Sequence, residues 1–393
     1  MKDPKQKRRD FLGKMMLGAT SLLAIPFLAA SSSDEKKSKT TSNDNANNDE
    51  KNTMEHPVKK VRALGFQWET NDPFLFCVHH EDKFPKGNAE MGPDPEYLKG
   101  RHMGQDFIVK DGFRMYHGQT VPGFPGHPHR GFETITVVRE GLVDHADSTG
   151  AAGRYGNGDV QWMTAGKGVQ HSEMFPLIDA EKENPMELFQ IWLNLPRKSK
   201  MVEPYFQMLW SENVPVIENK NEKGELTSMV EIITGNLGDA SAPTPPPDSW
   251  ANPSENMVAI YNITLEPNAT LTIPAVEAGV NRTVYYYEGN HLRIADLEIP
   301  HYHAADVDET QELVLTAGSE VSKVLILQGK PINEPVVQHG PFVMNTRQEI
   351  QEAFDDYHST QFGGWPWPRY DYTHDRSKGR FARHSDGTEE LKG

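Results

Sequence analysis

Short apolar runs separated by turn residues recur along the chain from residue 57 onward. The runs are rich in Val, Ile, Thr, Phe and Tyr, and Gly, Pro, Asn and Asp fall between them at close intervals. The clearest runs cover residues 132–138, 159–163, 188–195, 229–234, 258–265, 283–288, 312–316 and 323–327. None is followed by the long amphipathic helix that a parallel α/β sheet requires. The pattern therefore predicts an all-β sandwich or barrel.

One helix and two domain boundaries can be placed on this pattern. Thr346 is followed three residues later by Glu349, which is a capping box, and Ile350, Ala353 and Phe354 share one helical face. We therefore expect a short C-terminal helix that docks onto a barrel. A strand that ends in the Pro-Arg-Lys-Ser-Lys run at 196–200 marks the preferred boundary, and the Pro-rich stretch 240–254 is interpreted as a loop. The expected domains are residues 57–200 and 201–362, followed by a C-terminal extension, 363–393.

The first 56 residues have the composition of a targeting signal followed by a polar linker. Arg8 and Arg9 are followed by Phe11 and Leu12 and then by an apolar stretch, 15–30, which resembles a twin-arginine signal peptide over residues 1–30. The alternative is an uncleaved anchor, although the stretch is shorter than the roughly 20 residues that span a membrane. Residues 31–56 are almost entirely polar and predict a disordered linker. We expect export by the twin-arginine machinery to the periplasm, or another extracytoplasmic space, without stable membrane insertion.

Charge and cysteine content exclude several classes of protein. The formal net charge is −16, which repels phosphate backbones and anionic lipids, so nucleic-acid binding is not expected. The single cysteine, Cys77, rules out an intramolecular disulfide and any cysteine-based metal site. His and carboxylate side chains are then the available metal ligands.

Two pairs of such residues recur about forty residues apart. His127 and His129 lie in a Gly-His-Pro-His-Arg-Gly run, and His171 and Glu173 lie in a Gly-Val-Gln-His-Ser-Glu run. Side chains at i and i+2 of a strand point to the same face, so both pairs can reach one point inside a barrel. Three imidazoles and a carboxylate suit one divalent Fe, Mn, Ni, Cu or Zn ion and leave coordination positions open for a substrate.

Other histidines and one glutamate compete for this role. His79, His80, His145, His301 and His303 each lack a matching second pair in their own half of the chain, so we rank them below the four residues above. Glu133 follows His129 by four residues and is a further candidate carboxylate ligand. Among the aromatic residues, Phe124, Phe132, Trp162 and Trp192 are candidate pocket walls, although core packing is the commoner role for any one of them.

The longer motifs carry a family resemblance. The runs PGFPGHPHRGFETITVVREG, from Pro122, and GDVQWMTAGKGVQHSEMF, from Gly158, resemble the two N-terminal signatures of the pirin family. QIWLNLP, from Gln190, and GKPINEPVVQHGPFVMNT, from Gly329, extend the resemblance over roughly residues 57–358. It implies two facing cupin barrels, which are jelly-roll or double-stranded β-helix folds. It also implies iron in the N-terminal barrel on His127, His129, His171 and Glu173, a structural role for Glu133, and a second barrel without metal.

The resemblance also implies an activity. Pirins resemble quercetin 2,3-dioxygenases, so the expectation is an Fe(II)-dependent oxidoreductase acting on a flavonol or a related aromatic enediol or catechol with dioxygen, with Glu173 as a catalytic proton acceptor. The alternatives are a non-catalytic metal-binding or redox-sensing protein and, less compatible with an exported acidic chain, a transcriptional coregulator. The chain departs from the family pattern in its leader, in an insertion-rich stretch, 79–118, and in its C-terminal extension. A monomer is expected, because two facing barrels can cover each other's sheets.

Overall fold

The computed structural model describes residues 56–392. The predicted signal peptide and all but the last residue of the predicted linker lie outside this range. Cys77 is a buried free thiol. Within the described range, no helix has both the length and the apolar character needed to cross a membrane.

The described chain is built almost entirely of β-strands. Its first fourteen strands are β1 (Val58–Ala63), β2 (Gln67–Trp68), β3 (Phe74–Phe84), β4 (Gly123–His129), β5 (Phe132–Glu140), β6 (Leu142–Asp147), β7 (Ala152–Gly156), β8 (Val160–Thr164), β9 (Val169–Met174), β10 (Asn184–Asn194), β11 (Tyr205–Leu209), β12 (Val216–Lys220), β13 (Leu226–Thr234) and β14 (Asn236–Leu237). The remaining strands are β15 (Ala240–Ser241), β16 (Ala259–Leu265), β17 (Thr270–Ile273), β18 (Asn281–Glu288), β19 (Leu292–Ile294), β20 (Leu297–Ile299), β21 (His303–Val307), β22 (Leu313–Ala317), β23 (Ser322–Gly329), β24 (Val337–His339), β25 (Phe342–Met344), β26 (Phe381–Arg383) and β27 (Glu389–Leu391). The α-helices are α1 (Pro95–Leu98) and α2 (Arg347–Thr360), and short 3-10 turns cover Arg197–Ser199, Ser211–Asn213, Ser254–Asn256 and Gln361–Gly363.

Two six-stranded antiparallel sheets form the first barrel. Their strand orders are β11-β8-β5-β10-β3-β2 and β27-β26-β7-β6-β9-β4. Val138 and Leu188 of the first sheet share a buried core with Val143 and Tyr155 of the second, so the sheets pack face to face. Strand β4 is the last strand of its sheet, so one of its edges has no neighbouring strand.

The second barrel has an apolar interior. A seven-stranded sheet, β1-β21-β18-β23-β16-β13-β12, packs on a four-stranded sheet, β17-β22-β19-β20. Buried Val230, Ile263 and Tyr286 of the larger sheet meet Ile294 and Leu315 of the smaller one. The two barrels together confirm the all-β, two-cupin architecture that the sequence predicts.

A continuous apolar layer joins the barrels. Ile135 and Phe189 from the first barrel pack with Tyr285 and Leu325 from the second, and the rings of Trp68 and Tyr285 stack at 5.3 Å. The sheet of the first barrel that contains β5 and β8 is therefore buried on both faces. This explains why all of β8 is buried and why Glu133, Thr134 and Thr136 are buried together with the apolar residues of β5.

Strand pairing crosses the predicted domain boundaries. Strand β1 pairs with β21 of the second barrel, whereas β11, which lies beyond the boundary expected at residue 200, pairs with β8 of the first. Residues His79–Phe84 of the stretch predicted to be insertion-rich belong to β3, a core strand. The apolar pattern of a strand shows that it is buried but not which strand it pairs with, so local signals could not locate these exchanges.

The capping box and the docked helix are confirmed. The Thr346 hydroxyl accepts a hydrogen bond from the backbone N–H of Glu349, and the Glu349 carboxylate accepts one from the backbone N–H of Thr346. Ile350 and Ala353 are buried, and Phe354 lies edge-on to Phe342 with ring centroids 4.9 Å apart.

After helix α2 the chain returns to the first barrel as a strap, which we define as residues 364–392. Strand β26 of this strap pairs with β7. Arg154, which is almost fully buried, forms a two-point ion pair with Asp144 and donates hydrogen bonds to the backbone carbonyls of His374, Asp375 and Lys378. The predicted C-terminal extension is therefore an ordered part of the first barrel.

Candidate metal centre

Three imidazoles meet inside the first barrel. His127 and His129 lie on β4, His171 lies on the neighbouring β9, and His127 is paired directly with His171 in the antiparallel register. One nitrogen from each ring can be chosen such that all three lie within 4.8 Å of one another. Ring centroids are 4.5 to 4.9 Å apart. Alternation along the strands thus brings together three of the four predicted ligands.

The unpaired nitrogens of this trio fit a metal ion. The Nδ1–H of His127 donates to the carbonyl of Pro125 at 3.0 Å, which leaves its Nε2 as the ligand atom. His129 Nδ1 and both ring nitrogens of His171 are buried and have no hydrogen-bond partner within residues 56–392. A buried polar atom without a partner costs about 1–3 kcal/mol, so three such nitrogens in one cluster fit the donor set of a metal ion.

Burial also sets the charge of the three rings. It lowers the pKa of His127 to about 4 and that of His129 and His171 well below the usual value, with a smaller lowering contribution from neighbouring imidazoles. The three rings are neutral at neutral pH and can donate lone pairs to a cation.

Glu173 stands at the edge of the trio. Its Oε2 lies 3.8 Å from Nε2 of His171 and accepts a hydrogen bond from Gln190 Nε2 at 3.0 Å, and its Oε1 lies 2.8 Å from the hydroxyl of Thr136. Burial raises the pKa of Glu173, and the hydrogen bond from Thr136 opposes that shift. The carboxylate is not within the 4.8 Å grouping of the three imidazoles, but its separation from His171 matches two ligands of one ion, about 3–4 Å apart.

Glu133 points away from the metal centre. Thr136 faces Glu173 inside the barrel, so Glu133, an odd number of residues earlier on β5, faces the opposite side of the sheet. Its carboxylate accepts hydrogen bonds from Thr164 and from Ser249 of the loop 240–254. Burial raises the pKa of Glu133 to about 7. This geometry agrees with the structural role that the family resemblance implies.

The other histidines are separated by the fold. His79 lies between the barrels, 3.2 Å from Glu187, and His80 contacts the hydroxyl of Tyr116. His303 is on the second barrel, where its Nδ1 lies 2.9 Å from the carbonyl of His301. His145 is close to the site, since its ring lies 5.5 Å from that of His171, but its Nε2 is held 3.2 Å from Asp147.

The candidate aromatic walls also separate. Phe132 and Trp192 pack edge-on to His129, with centroids at 5.0 and 5.2 Å, and Phe124 lies 6.4 Å from His127. Trp162 belongs to the apolar layer between the barrels and does not line the site.

Two segments cover the edge of β4 that has no neighbouring strand. The sequence did not indicate that either segment lies near the metal centre. Tyr116 forms a bridge with Gly123, and the carbonyl of Tyr370, in the strap, accepts the backbone N–H of Gly126 at 2.7 Å. Both segments belong to regions identified only as departures from the family pattern. No local signal in the sequence links them to β4.

Comparisons with known proteins match this architecture. The family model Pirin matches residues 57–193, and the model Pirin C-terminal cupin domain matches residues 260–363. Human Pirin is 36% identical over 263 residues, covering 65% of this chain and 82% of its own, and a Pirin-like protein of Caulobacter vibrioides is 36% identical over 240 residues, covering 61% and 80%. A crystal structure named quercetin 2,3-dioxygenase from Acinetobacter baumannii superposes with a TM-score of 0.60 at 28% identity and covers 79% of this chain and 96% of its own.

Proposed function

The chain belongs to the pirin family, and from that premise we propose that it is a dioxygenase acting on a flavonol or a related aromatic enediol or catechol, with one divalent ion, Fe(II), in the first barrel. The observation that carries the proposal is the trio of neutral imidazoles, in which His129 Nδ1 and both ring nitrogens of His171 are buried without a hydrogen-bond partner in the described residues 56–392. The solved structure with the dioxygenase name supports the choice of reaction.

The chain's own residues have distinct roles in this proposal. His127, His129 and His171 hold the ion, and Glu173 completes the set. A bound divalent ion would supply Lewis-acid activation and a template for substrate and dioxygen. Mn, Ni, Cu and Zn suit the same donors, so the preference for iron rests on the family resemblance.

Glu173 is also the proposed proton acceptor for the substrate hydroxyl. A carboxylate that swings free of the ion can accept the proton of a substrate hydroxyl within hydrogen-bond reach. Thr136 and Gln190 hold it by one oxygen each, which orients the carboxylate toward the imidazoles. The phenylalanine and tryptophan rings beside His129 limit water access on that side.

The second barrel is proposed to be a packing partner. The His127, His129 and His171 trio is the one potential metal-ligand group found in the described part of the chain, and the second barrel's interior is filled by aliphatic and tyrosine side chains. Its large sheet covers one face of the metal-bearing barrel, which is compatible with a monomer.

Export is a separate proposal that rests on the first thirty residues. We propose that the twin-arginine machinery carries the folded, metal-loaded protein to the periplasm, because the arginine pair, the Phe-Leu pair and the apolar run coincide. Replacing Arg8 and Arg9 together by Lys should retain the protein in the cytoplasm. Equal periplasmic recovery of the wild type and this variant in cell fractionation would refute the route.

Oxygen uptake tests the catalytic proposal. Iron-loaded protein is presented with a panel of flavonols and catechols, and the His129→Ala variant serves as the comparison. We expect uptake with at least one flavonol by the wild type and none by the variant. If the wild type with one verified equivalent of iron takes up no oxygen with any compound of the panel, the dioxygenase proposal is overturned. A metal-binding or redox-sensing protein would then be favoured.

A further inference from the structure

An imidazole that is not among the proposed ligands, His117, lies beside the metal-bearing strand. Its backbone N–H donates to the carbonyl of Gly123, the first residue of β4, at 3.1 Å. Its ring is edge-on to Phe107 and to Phe124, with centroids at 5.0 and 5.8 Å. The ring of Phe124 is in turn 6.4 Å from His127. Phe124 therefore has His117 on one side and a proposed metal ligand on another.

The orientation of His117 is fixed by one hydrogen bond. Its Nδ1 lies 2.7 Å from the carbonyl of Gly104, and since a carbonyl only accepts, Nδ1 carries the hydrogen. In the neutral ring Nε2 is then an acceptor, and no protein donor reaches it within residues 56–392. Burial lowers the pKa of His117, which favours the neutral ring. His117, Phe107 and Phe124 are each partly exposed, so this acceptor and its aromatic walls are accessible from solvent.

The segment that carries His117 is rigid. We call residues 101–117 the entrance arm. The Arg101 side chain is fully buried in it, donates hydrogen bonds to the Asp106 carboxylate and to the carbonyls of Lys110 and Phe113, and lies 3.9 Å over the Phe113 ring. Asp106 and Tyr116 pair at the base of the arm through two backbone hydrogen bonds of 2.9 Å. An arm built around a buried guanidinium holds His117 in place before any ligand binds.

We propose that His117, Phe107 and Phe124 form a subsite for a hydroxylated aromatic ring, with His117 Nε2 accepting a hydrogen bond from a ring hydroxyl outside the pair that chelates the metal. This inference rests on the proposed function and specifies its substrate class. The Phe124 ring contacts both His117 and His127, so a planar ligand held at the imidazole trio and lying along Phe124 would extend toward His117. A ligand without the hydroxyl leaves the imidazole nitrogen unpaired, so the subsite discriminates between substrates by hydroxylation.

Two substitutions test the roles of Nδ1 and Nε2 of His117 one at a time. In His117→Asn the amide nitrogen replaces Nδ1 and keeps the bond to Gly104, but nothing replaces Nε2. In His117→Gln the amide reaches the Nε2 position and loses the bond to Gly104. The matched control is His303→Ala, since His303 makes the same Nδ1 contact with a backbone carbonyl on the second barrel.

The test measures binding without turnover. Quercetin and 3-hydroxyflavone share the chelating 3-hydroxy-4-keto pair, and only quercetin has further hydroxyls. Each is titrated under nitrogen into iron-loaded protein, and Kd is taken from the change in visible absorbance. We expect the wild type and His303→Ala to prefer quercetin. His117→Asn should reduce that preference by about 3- to 10-fold, the equivalent of one neutral hydrogen bond, and His117→Gln should retain part of it.

The outcomes distinguish this subsite from the catalytic proposal. An unchanged preference in His117→Asn, with the wild type binding quercetin, overturns the subsite and leaves the dioxygenase proposal intact. A wild type that binds neither flavonol overturns the subsite, whereas the dioxygenase proposal is overturned only by the absence of oxygen uptake over the whole panel of flavonols and catechols. Iron content is measured in every variant, and loss of iron from His117→Asn would assign His117 to the metal centre and overturn the subsite.

Discussion

Tyr370 of the C-terminal strap lies directly over Gly126, the residue before the first imidazole of the metal centre. Its carbonyl accepts the Gly126 N–H at 2.7 Å, and its Cδ1 lies 2.4 Å from where a Cβ on Gly126 would stand. Strand β4 has no neighbouring strand on this side, and an uncovered edge is a site for unwanted pairing. The strap therefore covers the strand that carries His127 and His129.

Replacing Gly126 by Ala should displace the strap. The new methyl group meets a rigid aromatic ring, so we expect a loss of about 1–3 kcal/mol in the free energy of unfolding, measured with denaturant. Adding Tyr370→Ala should remove the clash and recover part of that loss. Gly65→Ala is the matched control, because its Cβ would meet no atom closer than 3.5 Å. If Gly126→Ala is as stable as this control, the close packing of the strap on β4 is incorrect.

Arg154 should be the main anchor of the strap. Substitution by Met leaves the fully buried Asp144 without its cation and three strap carbonyls without a donor, at a cost of about 3–5 kcal/mol. Trypsin should then cleave after Lys378 or Arg380 at a concentration that leaves the wild type intact. The exposed Arg383→Met, on the same strap, serves as the control. Equal resistance of all three proteins to trypsin would argue against the anchor.

Glu133 should make the stability of the protein depend on pH. The folded state holds the Glu133 proton up to about pH 7, whereas an ordinary glutamate releases it near 4.5. The folded state therefore loses stability as pH rises from about 4.5 to 7, by up to about 3 kcal/mol from this group. Glu133→Gln should remove that loss.

The measurement is the free energy of unfolding of metal-free protein at pH 5 and pH 8. The change in the free energy of unfolding from pH 5 to pH 8 should be more positive in Glu133→Gln than in the wild type, by up to about 3 kcal/mol, while the exposed control Glu320→Gln behaves as the wild type. A wild type and a Glu133→Gln variant with the same pH dependence would show that the buried carboxyl stays ionised.

Thr136 should tune metal affinity through Glu173. Its hydroxyl lies 2.8 Å from Glu173 Oε1, and groups that orient a metal ligand in this way typically contribute 10- to 100-fold to affinity. We expect Thr136→Val to weaken metal binding by about that factor and Thr136→Ser to restore it, as measured by competition with a chelator. An unchanged affinity in Thr136→Val would indicate that Glu173 does not contact the ion.

The part of the site that lies on single strands could be predicted from the sequence. His127 and His129 share a face because of strand alternation, and the same rule places His171 beside Glu173. The rule also separates Glu133 from the ligands once Thr136 is known to face the barrel interior. Alternation is a local property, so a few residues of sequence are enough to establish it.

The covering segments could not be predicted, because their contacts join distant parts of the chain. Arg154 and His374 are 220 residues apart in sequence, and nothing near either residue specifies the other. The exchange of β1 and β11 between the barrels has the same origin, since both strands have an ordinary pattern and their partners are non-local. His117 was missed because a lone histidine in an insertion has no pattern; only its place beside Phe124 distinguishes it.

Elemental analysis of purified protein tests the central claim most directly. The wild type should contain one equivalent of a divalent metal, and the control His303→Ala should contain the same amount. His171→Ala should contain less than a tenth of an equivalent, because it removes the ligand that joins the two strands. Full metal occupancy in His171→Ala, with the variant folded as judged by circular dichroism, would contradict the account.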